Sequence, residues 1–289
     1  MRARVTAKVA KVMGTVSNKN LILVRGGGDI ATGTIHRLHN AGYQVLVMET
    51  EQPSAIRREV AFSEAVYDGV KSVERVTCRL ANDVLEAAHI MKKGDVAMVV
   101  DPQGAAIRYF QPHILIDAIL AKKNLGTTKK MADLTIGLGP GFCAGKDVTC
   151  VIETMRGHNL GRIIYEGLAL KNTGVPGVVG GASVERVLHA PASGRMENRR
   201  RIAAVVEKGE TVAYIHGADG QVTEVKATLD GVLRGIIHDG YLVTQGLKIA
   251  DIDPRVHAMN NCYTISDKAR CISGGVLEAV MAWERGMHR

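Results

Sequence analysis

Chemistry in this chain is concentrated in two glycine-rich stretches. The first reads Gly26-Gly-Gly28-Asp29-Ile-Ala31-Thr-Gly33. It fits G-x-G-x-x-A, with a further glycine, Gly33, two positions on. In that pattern Gly26 permits a tight turn, Gly28 lets the backbone approach an anion, and Ala31 lets a helix pack closely. The unpaired N–H groups and positive dipole end of the helix then favour a phosphate. Glu49 follows Gly26 by 23 residues, where a ribose hydroxyl would be gripped. Asp29 places a negative charge inside the turn and opposes a pyrophosphate. Arg57 and Arg58 suit a phosphate or an acidic ligand, or simply form a surface pair. A glycine turn that only packs a sheet is the competing reading.

The second stretch is Gly137-Leu-Gly139-Pro-Gly141-Phe-Cys143-Ala-Gly145-Lys146-Asp147. A P-loop would need glycine at 140 and Ser or Thr at 147, and the chain has Pro140 and Asp147 there. Its glycines still expose backbone N–H groups beside Lys146, so Gly139, Gly141, Gly145 and Lys146 form a second candidate anion cradle. Between the two, Asp101 precedes Pro102 and either holds a metal or a polar ligand or starts a turn. His158, in Glu153-Thr-Met-Arg156-Gly-His158, is a candidate proton shuttle. Cys143 is a candidate reactive thiol, its pKa lowered by loop N–H groups and Lys146, and a small buried apolar residue is the alternative. The five cysteines, at 78, 143, 150, 262 and 271, include no C-x-x-C. Neither zinc, any other metal, nor a disulfide framework is expected, and a reducing cytoplasm is.

The elements that must position these residues alternate in type. Asn20–Arg25 reads as a strand, Ile30–Ala41 as a helix stopped by Gly42, and Gln44–Met48 as a second strand. Helices over 82–92 and 113–123 and strands at Val96–Val100 and Leu134–Leu138 continue the alternation. This predicts an α/β, Rossmann-like parallel sheet with helices on both faces, its glycine loops sharing one strand-end crevice. Beyond about residue 185 the helical period gives way to short Val/Ile runs separated by glycines. Ala190–Gly194 with Glu207–Ile215 recurs some 37 residues later as Ala227–Gly231 with Thr244–Ile252. That repeat resembles the barrel-sandwich hybrid of biotinyl and lipoyl modules. Lys226, immediately before Ala227, is out of register for a carrier lysine, so no covalent biotin or lipoyl group is expected. Four segments result: a basic tail (1–19), the Rossmann-like domain (20–185), the all-β barrel-sandwich hybrid domain (186–253) and a segment (254–289) whose C-terminal helix packs back on the first domain.

Composition sets limits. The chain has 289 residues, 46% hydrophobic and 23% charged, which suits a globular protein. Its net charge is +8, but residues 1–19 hold five bases and no acid, leaving 32 bases against 29 acids elsewhere. With 4% aromatics there is little to stack on single-stranded nucleic acid, so nucleic-acid binding is not expected. No apolar run approaches a membrane span.

Longer strings then carry a resemblance. Arg25–Gly33, Ile56–Arg58 with Ala61–Ala65, Leu138–Phe142 with Ala144-Gly145, and Val151–His158 together resemble the selenium-dependent molybdenum hydroxylase system proteins of YqeB type. Gly28–Ala31 is more distantly similar to the glycine turn of xanthine dehydrogenase accessory factors. The resemblance runs from about residue 20 to the C-terminus. It implies an accessory factor in molybdenum hydroxylase maturation that binds a nucleotide, NAD(P) or a molybdopterin nucleotide, and partners a hydroxylase subunit or its cofactor-assembly proteins. It implies no catalytic residue, and homo-oligomerisation stays open. Two other readings stand beside it: an NAD(P)-dependent oxidoreductase, and a non-catalytic scaffold.

Overall fold

A computed structural model describes residues 5–9, 20–175 and 177–287. The expected basic tail therefore lies largely outside the described residues; of it, residues 5–9 form a helical turn, α1, whose Val9 is buried. The chain divides into two compact units. The first comprises 1–53, 61–172 and 265–289, and the second 54–60 and 173–264.

The first unit is built on a nine-stranded sheet. Its strands are β1 (Leu21–Arg25), β2 (Gln44–Glu49), β3 (Val70–Val73), β4 (Val76–Leu80), β5 (Val96–Val100), β6 (Ile114–Asp117), β7 (Leu134–Leu138), β9 (Cys150–Ile152) and β10 (Ile163–Ile164). They are ordered β10-β9-β7-β6-β1-β2-β5-β4-β3. The seven inner strands run parallel, while β10 pairs antiparallel with β9 and β3 antiparallel with β4. β8 (Cys143–Ala144) and β11 (Gly167–Leu168) form a separate antiparallel pair.

The expected parallel sheet is thus corrected to a mixed one. Its helical cover also departs from expectation. α2 (Asp29–Asn40) and α4 (Val84–Lys92) lie where periodicity put them, α3 (Ala65–Asp68) and α5 (Ile107–Phe110) are single turns, and Asp83 caps α4 by accepting the N–H groups of Leu85 and Glu86. The helix expected over 113–123 is instead β6. All four of its residues are buried, because the strand lies between β1 and β7 in the sheet interior. A central parallel strand reads as a continuous apolar run, which periodicity alone does not tell from a helix. No α-helix links β6 to β7 or β7 to β9. Cover there comes from the C-terminal helix α6 (Asp267–Glu284), which packs on α2 and touches β7, β9 and β10. The α2–α6 approach is close: a side chain at Gly33 would put its Cβ 2.7 Å from that of Ala269.

The second unit holds two four-stranded sheets over one core. β12 (Val187–His189), β19 (Lys248–Asp253), β17 (Gly231–Ile236) and β14 (Val205–Val206) form one, and β16 (Val222–Lys226), β15 (Thr211–His216), β13 (Gly194–Asn198) and β18 (Leu242–Val243) the other. The internal repeat is structural. β13, β14 and β15 recur as β17, β18 and β19, and the short middle strand of each half pairs with the other half, β14 with β17 and β18 with β13. Gly194 and Gly231 open the equivalent strands. A Cβ at either would sit 2.3 Å from a carbonyl oxygen, of His216 and Asp253 respectively. Lys226 ends β16 and pairs with Glu224 at 2.9 Å.

Candidate functional site

Parallel strands deliver their last residues to one edge of the sheet, the usual ligand-binding edge of an open α/β fold. Here that edge carries Arg25, Glu49 and Asp117, with Asp101 just past β5 and Glu153 just past β9. Each is spent on the chain's own backbone or on another of the set.

The glycine turn after β1 shows how. Gly26, with φ of +92°, donates its N–H to Met48 O at 2.8 Å, and a Cβ there would lie 3.0 Å from the backbone of Ala118 and Ile119. Gly27 donates its N–H to Glu49 Oε2 at 2.7 Å, and Glu49 Oε1 accepts Thr50 N–H at 2.8 Å. The acid expected to grip a ribose thus occupies a glycine-turn amide itself. Burial raises its pKa above the ordinary value, and the two amide hydrogen bonds only partly oppose that rise. The carbonyl of Gly27 accepts from Ser63 N–H and from Thr32 Oγ1, which in turn accepts Phe62 N–H. Gly28 leaves open space, with nothing within 4 Å of a Cβ. Ala31 is buried, Gly33 serves the α2–α6 approach, and Asp29 opens α2.

The second glycine stretch closes in the same way. Gly139 and Gly141 have positive φ, and a Cβ at Gly139 would lie 2.5 Å from Thr154 Oγ1, at Gly141 2.8 Å from the Lys123 backbone. Gly145 donates to Val148 O, and Cys143 N–H is taken by Asp147 Oδ2 at 2.8 Å. Lys146 is exposed and Cys143 half-buried. Asp101 is a turn former: its two oxygens accept Ala105 and Ala106 N–H at 2.9 and 2.7 Å. His158 is exposed, while Arg156 in the same motif forks onto Asp267 at 2.8 and 3.0 Å. Arg57 and Arg58 belong to the second unit. Arg57 donates to the carbonyls of Asn261 and Thr264, and Arg58 to that of Ile236, so main-chain oxygens occupy the groups expected to meet a phosphate.

Sequence reasoning missed the strongest clamps. Arg25 and Asp117, 5% and 1% exposed, lie 3.5 Å apart and share Thr127. Arg25 Nη1 donates to Thr127 Oγ1 at 2.6 Å, Thr127 Oγ1 donates to Asp117 Oδ2 at 2.5 Å, and Arg25 Nη2 donates to Pro102 O. Buried Glu153 accepts three backbone N–H groups, from Thr154, Met155 and Leu170, at 2.7–2.8 Å. A charged residue ending an otherwise apolar strand was the available signal. Between β6 and β7, Asn124 Oδ1 accepts Gly126 and Thr127 N–H, and Leu120 and Lys122 are held at φ of +60° and +62°. Among the described residues no group of three or more His, Cys, Asp or Glu is placed to hold a metal ion, and no helix is long and apolar enough to cross a membrane.

Comparison with known proteins adds the following. No protein-family model matches the sequence. The chain is 48% identical over 265 residues to the uncharacterized protein YqeB of Escherichia coli K12. The match takes in 92% of this chain and 48% of YqeB, so the chain spans about half the length of that relative. Among solved structures it is similar to a succinylglutamate desuccinylase/aspartoacylase from Rhodobacter sphaeroides (14% identity, 81% of this chain and 85% of that one, TM-score 0.29). It is also similar to the ectoine utilization protein EutE (DoeB) from Ruegeria pomeroyi (13%, 81% and 85%, TM-score 0.26). Likeness at this level carries no activity to this chain.

Several expectations are corrected here. The expected Rossmann-like parallel sheet joined to a barrel-sandwich hybrid is corrected to a mixed α/β sheet with antiparallel edge strands and, in the second unit, two four-stranded antiparallel sheets over one core. The maturation role, the NAD(P) or molybdopterin nucleotide, and the hydroxylase partner fall with it. The YqeB relative is named only as uncharacterized, and Glu49 takes a glycine-turn amide for itself where the nucleotide was expected.

Proposed function

We propose that this chain is a non-catalytic scaffold, whose strand-end edge holds loops in fixed positions instead of turning over a substrate. The observation that carries this reading is the Glu49 carboxylate on Gly27 N–H, 2.7 Å away, in the turn where an anionic ligand would otherwise be received. The same pattern at Asp101 and Glu153, whose oxygens accept backbone amides, supports it. A group that is wholly engaged in holding loops is poorly placed to act as general acid, base or nucleophile.

A thermal-shift panel with NADH, NADPH, ATP, CTP, molybdate and selenite tests it, run beside Gly28→Val. Gly28 has extended backbone geometry and open space around its Cβ position, so the valine is accommodated while any anion resting on the turn is blocked. The expected outcome is an unchanged midpoint with every compound and a near-parental midpoint for the variant. A ligand at ~100 times its Kd adds about 2.7 kcal/mol, roughly 5 °C for a chain of this size. A rise of that order with one nucleotide, abolished by Gly28→Val, overturns the scaffold reading.

A further inference from the structure

We propose that the loop between β6 and β7, with the β8–β11 pair beside it, is a docking surface for an acidic polypeptide segment that also carries apolar side chains. The proposal rests on the scaffold reading and names the chemistry of the scaffold's partner.

Residues 118–132 contain Lys122, Lys123, Lys129 and Lys130 and no acid, and all four lysines are exposed. The loop that carries them is pinned from below by Thr127, locked into the Arg25–Asp117 pair, and by the Asn124 turn. It is continuous with the second glycine stretch: Gly141 lies against the Lys123 backbone, and Lys129 Nζ donates to Gly145 O at 3.3 Å, next to exposed Lys146. Among the described residues, Lys122, Lys123, Lys130 and Lys146 have no ion-pair partner. The acids of this loop and its neighbours are Asp133, paired with His113, Asp147, which holds Cys143 N–H, and exposed Glu166. Against five lysines the surface thus keeps a positive excess.

Apolar side chains adjoin that charge. β8 pairs with β11 so that Leu168 stands opposite Cys143, three residues from Lys146. Leu168 is 67% exposed, Leu170 52% and, within the lysine loop itself, Leu125 45%. Leu168 and Leu170 edge a cavity of about 380 Å³ whose wall combines Ile163, Ile164 and Tyr165 with the polar Asn159, Arg162 and Glu166. Carboxylates meet the lysines and apolar side chains enter the cavity, so one segment satisfies both halves of the surface. A nucleic acid satisfies the first half best: its phosphates pair with lysine, but successive bases need several aromatic faces, where this surface offers Tyr165 among leucine and isoleucine.

Fluorescence anisotropy on the full chain at low salt tests the assignment with three labelled probes of equal charge: a mixed Glu/Leu peptide, a poly-glutamate peptide and a single-stranded oligonucleotide. The Glu/Leu peptide should bind most tightly. The double reversal Lys122→Glu/Lys123→Glu should weaken it by about tenfold or more, and less so as salt rises. Leu168→Ser should weaken the Glu/Leu peptide but not poly-glutamate. The control reversal Lys92→Glu/Lys93→Glu, at exposed lysines of equal charge at the end of α4, should change binding little. All four positions are exposed, and unchanged unfolding midpoints verify that the variants fold. Absence of peptide binding, equal loss in both reversals, or tighter binding of the oligonucleotide overturns the proposal. Nucleotide-induced stabilisation with peptide binding intact would instead sink the scaffold reading and leave the docking surface standing.

Discussion

Removing the Asp117 carboxylate asks whether the charged strand ends are structural clamps. Arg25 and Asp117 are 6% and 2% exposed at their side chains and 3.5 Å apart. At an effective dielectric constant near 20, two unit charges at that separation attract by roughly 5 kcal/mol before desolvation is counted. Desolvation offsets much of that in the intact pair. Its removal is not symmetrical, however: Asp117→Ala leaves a buried guanidinium facing only Thr127 Oγ1 and Pro102 O. It also frees Ile119 N–H, which Asp117 Oδ1 accepts at 3.2 Å. Breaking one side of a buried pair costs about 3–5 kcal/mol, and the upper half of that range is expected because a backbone amide is orphaned as well. For a chain of this size the midpoint should fall by roughly 10 °C. Urea unfolding of the parent, Asp117→Ala, Arg25→Met and the double variant supplies the cycle. The double should cost less than the sum of the singles by about 2 kcal/mol, since residues sharing one network do not behave additively. A loss below about 1 kcal/mol for Asp117→Ala, or strict additivity, would refute the reasoning and return the strand-end carboxylate to the pool of groups a ligand could use.

Three further predictions follow from other parts of the molecule. Gly275→Ala should destabilise by about 1–3 kcal/mol in urea unfolding, because its Cβ would fall 2.0 Å from Gly161 O. Gly274→Ala, one residue away with only Arg37 Nη1 at 3.8 Å, should be neutral or stabilising by up to about 1 kcal/mol through helix propensity. Equal effects at the two positions would contradict the packing argument. Burial raises the Glu49 pKa in the fold above its ordinary 4.5, so this group's contribution to stability is full below the unfolded pKa and is lost as pH rises through the folded value. Glu49→Gln does not titrate and should gain on the parent as pH rises above the ordinary carboxylate range; a gap that stays constant in a pH series of melts would count against it. Burial pushes the Cys150 thiol up to about 12 and raises that of Cys78 as well, while Cys271 is exposed. Maleimide at neutral pH should therefore label Cys271 in the folded protein and reach Cys78 and Cys150 only after unfolding, as peptide mass mapping would show.

What could be read along the chain was whatever depends on near neighbours. The strand, glycine turn and helix of 21–40 were legible because apolar spacing and glycine punctuation act over a few residues. So was the 37-residue repeat, because its two halves solve the same local problem, visible in Gly194 and Gly231 against the carbonyls of His216 and Asp253. Other features depend on residues that only folding brings together. Ile114–Asp117 is a strand because β1 and β7 flank it and bury it, and no property of the run itself separates that outcome from a helix. Gly26 and Glu49 have the types and spacing of a nucleotide turn. What they do is decided by Ala118 and Ile119, which close on one, and by the Gly27 amide, which takes the other. The Arg25–Asp117–Thr127 clamp joins residues up to 102 positions apart. A charge ending an apolar strand announces that it needs a partner. Which partner meets that need, a ligand or the chain's own backbone, is settled by three-dimensional packing, because the energy of a buried charge depends on what lies within a few ångströms of it and not on its neighbours in sequence.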